Sequence, residues 1–165
     1  MHFLLLNIRD DFLLLTCNML TLDFSGIHLQ LKEETGKTLV FDPVRKDWYM
    51  LTPEEHVRQY LLQYLILNAD YPKGMMALEK KIMVGDMNKR FDIVVYNRQH
   101  QPWMLVECKA PEVEISEATL HQLLNYQRTT QCRYWLLTNG HQVFCADGVD
   151  IHDIQWLDSL PVYKL

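Results

Sequence analysis

Two apolar runs, Phe91-Asp-Ile-Val-Val-Tyr96 and Trp103-Met-Leu-Val-Glu-Cys-Lys109, stand six residues apart across a turn-like stretch, Asn97 to Pro102. Their apolar residues are consecutive rather than alternate, the pattern of strands covered on both faces. The chain must therefore place them inside a sheet with material packed above and below it. A hairpin about the Asn97–Pro102 loop that pairs Tyr96 with Trp103 sets Asp92 directly opposite Glu107. Opposed side chains sit about 4.5–5.5 Å apart at Cβ. The two-residue period places Lys109 on the same face as Glu107.

The surrounding segments supply the rest of an α/β domain on a mixed sheet. Residues 27 to 50 read as extended pieces about a Glu34–Lys37 turn, with Asp42-Pro43 ending the returning strand. Thr52-Pro-Glu-Glu55 is a helix start, with Thr52 as N-cap, Pro53 at N1 and Glu55 closing a capping box. That helix runs to about Asn68 and carries Val57, Leu61, Tyr64 and Leu65 as its apolar stripe. Ala77–Val84 is a strand, Ser116 caps a helix to about Thr130, and Arg133–Thr138 is a further strand. Asn139-Gly140 is a hairpin signal leading into 141–146.

Two opposed carboxylates inside a sheet are costly as structure alone. Buried together they need a proton or a cation between them. A hard divalent ion suits oxygen ligands, and Mg²⁺ takes one or two carboxylates plus water and phosphate oxygens. Such an ion polarises a phosphodiester and activates a bound water, while Lys109 can position that water or meet developing charge. The plain alternative is a solvated salt bridge, for which Glu-x-Lys is a common pattern. Glu79-x-Lys81 is a decoy of that kind, with no acid-bearing apolar strand before it. On the second helix Gln122 and Tyr126 share a face, either reaching a phosphate or forming the polar flank of an amphipathic helix.

Asp92 followed by Glu107-Cys-Lys109 resembles the PD-(D/E)XK nuclease superfamily, with Phe91 standing where the motif has proline. Gln122-Leu-Leu-Asn-Tyr126 resembles the helix motif of its RecB-like branch. Thr52–Gln59, Tyr71-Pro72, Arg90-Phe-Asp92, Glu107–Pro111 and Leu137–Gly140 together resemble the N-terminal nuclease domain of type I restriction enzyme R subunits. The resemblance implies a restriction-endonuclease-like α/β/α core, a central mixed sheet flanked by helices, and Mg²⁺-dependent phosphodiester hydrolysis, Mn²⁺ substituting. Asp92, Glu107 and the Cys108 carbonyl would hold the metal, and Lys109 would be the catalytic lysine. Gln122 and a helix glutamate, Glu55 before Glu54, would assist. Lys89, Arg90 and Tyr126 would meet substrate. The R subunit's motor and specificity contacts have no counterpart in these 165 residues, so a homodimer or a partner protein would supply specificity.

Composition sets the remaining bounds. With 48% hydrophobic and 22% charged residues, the chain excludes disorder and a disulfide-dense mini-protein. Its net charge of -5 argues against a generic nucleic-acid coat. The charge is uneven, however. Residues 71–133 hold nine Lys+Arg against seven Asp+Glu, and the acidic excess lies elsewhere, partly at Asp147, Asp150, Asp153 and Asp158. The four cysteines form no Cys-x-x-Cys pair, the pattern of a reducing cytoplasm. Arg9, Asp10 and Asp11 split the apolar N-terminus, so it fits neither a signal peptide nor a membrane span. Residues 1–18 read as a weakly structured extension before one domain at 19–165. Two functions compete: a DNA endonuclease, and a catalytically inactive module of the same fold that binds nucleic acid or protein. A small-molecule phosphodiesterase is a third, without a Gly-rich phosphate loop.

Overall fold

The computed structural model describes residues 18–116, 118–120, 130, 132–148 and 155–164. Three strands open it as an antiparallel meander: β1 (Leu31–Glu34), β2 (Lys37–Asp42) and β3 (Asp47–Met50). Helix α1 (Pro53–Leu67) follows. Then come β4 (Met76–Val84), β5 (Met87–Tyr96), β6 (Pro102–Cys108), β7 (Tyr134–Thr138), β8 (Val143–Asp147) and β9 (Gln155–Trp156), hydrogen-bonded in that order as one six-stranded sheet. Among the described strands only β6 and β7 run parallel, and a parallel pair requires a crossover. The crossover carries the helical turn Ala118–Leu120, where the Ser116 hydroxyl accepts from the Thr119 N–H at 3.3 Å, as an N-cap should.

Alternation along the strands sorts the core into two layers. Ile93, Val95, Met104, Val106 and Leu136 meet Val57, Leu61, Leu62 and Leu65 of α1. Val94, Leu105, Trp135 and Leu137 meet Ile115 and Leu120 on the opposite face. This is the restriction-endonuclease-like arrangement, a mixed sheet with helical material on both sides. No helix among the described residues is long and apolar enough to cross a membrane. The chain is already in the sheet layer at Met19, which bridges Phe144, and Leu20 donates to the Val143 carbonyl at 2.8 Å.

Three local readings are corrected. The β5–β6 hairpin pairs Ile93 with Val106 and Val95 with Met104, but Tyr96 opposes Pro102 rather than Trp103. A bulge absorbs the extra residue, at a strand-end position where a proline's missing N–H does least harm. The capping box is half made: the Thr52 hydroxyl accepts from the Glu55 N–H at 3.1 Å, yet the Thr52 N–H turns to the Met50 carbonyl. That leaves the Glu55 carboxylate for arginines. Finally, Asn139-Gly140 does not make a two-residue hairpin. Thr138 pairs with Val143, and the Asn139 side chain braces the four-residue loop by accepting from the His141 and Gln142 N–H groups. Gly140 sits there at φ 89°, and a Cβ added to it would come 3.3 Å from a Val57 methyl, so a side chain would be both strained and crowded.

Candidate active site

The site lies where β5 leaves β6. Their ladder begins at Ile93–Val106, and Asp92 and Glu107 are the residues that flank that first pair. The two acids meet different surroundings. Asp92 is buried and turned toward α1: its Oδ1 receives Arg58 Nη2 at 2.6 Å, and its Oδ2 receives the Cys108 main-chain N–H at 2.6 Å. Glu107 faces a cleft of about 450 Å³ lined by Val84, Met87, Asn88, Lys89, Arg90 and Lys109. Lys89 Nζ lies 2.8 Å from Glu107 and 5.1 Å above the Phe91 ring.

Strain in the neighbouring strand turns Asp92 out of line. Glu79 in β4 stands between the Leu78–Ile93 and Lys80–Phe91 pairs and adopts φ 54°, a left-handed conformation that a non-glycine residue holds only at a cost. Beside it strict alternation fails. Phe91 packs in the layer away from α1, whereas both Asp92 and Ile93 reach the α1 side. The same distortion delivers the Glu79 carboxylate to Arg58 Nη2 and Arg90 Nε, both at 2.9 Å.

Arg58 is the centre that sequence reading missed. Besides Asp92 and Glu79 it bonds Glu54 at 3.0 Å and the Glu55 carboxylate. Burial works against its positive charge, and Asp92, Glu55 and Glu79 overcome that, so its pKa lies above the ordinary value. A signal was present in Glu54-Glu55-x-x-Arg58, since residues three and four apart share a helix face. Glu79-x-Lys81 carries no such signal, yet Glu79 stands between the Leu78–Ile93 and Lys80–Phe91 pairs, on the strand beside Asp92. Glu55 itself is held by Arg45, Arg58 and Gln59. Among the described residues it is linked to Asp92 through Arg58, which bonds both carboxylates.

Lys109 anchors its N–H on the Thr138 carbonyl at 2.8 Å and shares the cleft with Glu107. Arg90 is largely exposed on the rim. Burial raises the Glu107 pKa, with Asp92 adding to the rise, while Lys89 and Lys109 act the other way. The Cys108 thiol between the acids is also pushed up by burial and stays neutral. Gln122 and Tyr126 fall outside the described residues.

Among the described residues no three His, Cys, Asp or Glu side chains gather as a ready-made metal cage. Mg²⁺ does not require one, since it keeps several waters and takes only one or two carboxylates. Asp92 and Glu107 fit that demand. The raised Glu107 pKa marks a buried carboxylate still short of positive charge, which a divalent ion would supply.

Among curated proteins, none matches this chain. One solved structure that it resembles is a candidate nuclease belonging to DUF820 from Anabaena variabilis ATCC 29413. That likeness has a TM-score of 0.46 and 13% identity, covering 79% of this chain and 84% of that one. The family described as "Type I restriction enzyme R protein N terminus" matches residues 53–161, from the start of α1 past β9. That span takes in Arg58, Glu79, Asp92, Glu107 and Lys109, and the chain belongs to the family of type I restriction enzyme R protein N termini.

Proposed function

We propose that this chain is a Mg²⁺-dependent nuclease that hydrolyses phosphodiester bonds, acting on DNA as an endonuclease, with Mn²⁺ able to substitute. The observation that carries this reading is that Asp92 and Glu107 flank the same end of the β5–β6 ladder, with Glu107 on a cleft that also holds Lys109 and Lys89. The metal, when bound, would activate a water and polarise the phosphate. Asp92, Glu107 and the Cys108 main-chain carbonyl are the groups proposed to hold it. Lys109 would orient the attacking water or stabilise charge growing on the phosphate oxygens. Lys89 and Arg90 line the same cleft and offer the cations that a phosphate backbone needs. Gln122, Tyr126 and Glu55 belong to the proposed set as supporting residues. A reducing compartment such as the cytoplasm accords with Cys108, Cys132 and Cys145 being free and buried. A homodimer or a partner protein would supply specificity.

A second reading draws on one feature: each acid already meets an internal cation, Arg58 for Asp92 and Lys89 for Glu107. A nuclease-fold module that only binds nucleic acid or protein would look the same. Cleavage of linear and supercoiled DNA with Mg²⁺, and again with excess chelator, decides between them. The nuclease reading requires chelator-sensitive cleavage that is lost in Asp92→Asn and in Lys109→Ala. Cleavage at the wild-type rate in both variants would overturn the site assignment, and no cleavage by the wild type would favour the module.

A further inference from the structure

The side-chain chemistry of Arg58 does not balance as a static salt bridge. Its Nη2 lies within hydrogen-bonding distance of three carboxylates, Glu54 at 3.0 Å, Glu79 at 2.9 Å and Asp92 at 2.6 Å. A guanidinium Nη carries only two hydrogens. Its Nη1 is engaged by Glu55. Its Nε, although buried, meets no acceptor among the described residues. The two Nη2 hydrogen bonds run to Glu54 and Asp92, and Glu79 stands at ion-pair distance as a third carboxylate able to take the hydrogen that either one gives up. Asp92 can let go without being stranded, because its other oxygen keeps the Cys108 N–H.

We propose that Arg58 is a resident counter-cation for Asp92 that competes with a divalent metal, a positioning residue that sets the affinity of the site. This rests on Asp92 being a metal ligand, as proposed above. In the metal-free protein the guanidinium neutralises a buried carboxylate that would otherwise destabilise the fold. A divalent ion at Asp92 brings two more positive charges to the oxygen that Arg58 holds, and in a buried site the two cations repel. Arg58 then falls back on Glu54, Glu55 and Glu79, which already surround it, so it need not leave the interior. The strained backbone at Glu79 has a use in this scheme, since it places the fallback carboxylate on the strand beside Asp92.

Calorimetric titration with Mn²⁺ alone, no nucleic acid present, tests the competition. Arg58→Gln should bind Mn²⁺ roughly ten- to a hundredfold more tightly than the wild type, the range of a charge-assisted hydrogen bond lost from the metal-free state. Arg58→Lys, which keeps the charge but not the fork, should lie between them. Arg90→Gln is the control for bulk charge. It removes one positive charge from the same network without touching Asp92, and should change affinity by no more than about threefold, as expected for an exposed pair. An Arg58→Gln affinity no tighter than that of Arg90→Gln would overturn the proposal. Should Arg58→Gln fail to fold, the wild type still answers. Saturating Mg²⁺ must shift the Arg58 side-chain nitrogen resonances in NMR, assigned with Arg58→Lys, and an unmoved Arg58 signal overturns the competition. If the wild type binds metal, loses it in Asp92→Asn, and is matched by Arg58→Gln, the competition alone falls. If neither the wild type nor any variant binds metal, Asp92 is not a metal ligand and both readings fall.

Discussion

Asp42 and Asp92 are both buried carboxylates that meet an arginine, and α1 contributes to both environments. Their partners differ in kind. Asp42 accepts from the Val44 and Arg45 N–H groups on one oxygen, both at 2.8 Å, and from Arg45 Nε and Gln59 Nε2 on the other, at 2.7 and 2.8 Å. Three of those four donors lie within three residues of Asp42, so the β2–β3 turn itself builds the cage. Asp92 has one backbone donor and one guanidinium that three other carboxylates also claim. A carboxylate met mainly by main-chain and neighbouring donors is fixed structure, even though Arg45 and Gln59 also reach Glu55. One that depends on a shared cation sits in a site whose cation can be exchanged.

Substitution should break the comparison most visibly in catalysis. Asp92→Asn and Lys109→Ala should each lower DNA cleavage at least about a hundredfold, the scale of losing one electrostatic contributor to a transition state. Asp42→Asn should leave the rate per folded molecule unchanged. Single-turnover cleavage, normalised to the folded fraction by circular dichroism, makes the measurement. An equal loss in Asp42→Asn would show that the two acids are not functionally distinct.

Stability should reverse the order. Asp42→Ala removes the acceptor of four donors, leaves Arg45 and Gln59 with Glu55 alone, and should cost about 3 kcal/mol, the range for breaking a buried charged network. Asp92→Ala leaves Arg58 with Glu54, Glu55 and Glu79, and should cost clearly less. Urea unfolding in chelator measures both. A larger loss at Asp92 than at Asp42 would mean that Arg58 is not held by its other acids.

The difference between the two acids also shows what was legible in the sequence. The run of apolar residues in 91–96 and 103–108 marked the central strands, and the hairpin they form brought Asp92 and Glu107 to the same end of the ladder, although the bulge at the turn was not readable. Thr52-Pro53 marked the start of α1 as well. The cations that answer the acids were not legible as a set. Arg58 reaches Asp92 across 34 residues, and Glu79 reaches Arg58 only because its backbone turns left-handed, a departure from strand geometry that no propensity encodes. The meander was readable as extended chain but not as three strands. Nor did the sequence show that Asp42, which reads as a strand terminator before Pro43, is the centre of a buried network.

The smallest expected effect concerns Glu107, whose neighbouring cations, Lys89 and Lys109, do not cancel the cost of burial. Its folded pKa lies above the value of about 4.5 that it takes when unfolded. Below that unfolded value the group is protonated in both states and exacts no penalty. As pH rises through the folded pKa, the unfolded chain has already ionised and the folded chain is left holding a disfavoured charge. Metal-free wild type should therefore lose stability relative to Glu107→Gln as pH climbs above about 4.5, as read from urea midpoints at a series of pH values. Saturating Mg²⁺ should flatten or reverse that slope, because a bound cation favours the ionised carboxylate. A slope unchanged by Mg²⁺ would place Glu107 with Asp42, among acids whose partners are permanent.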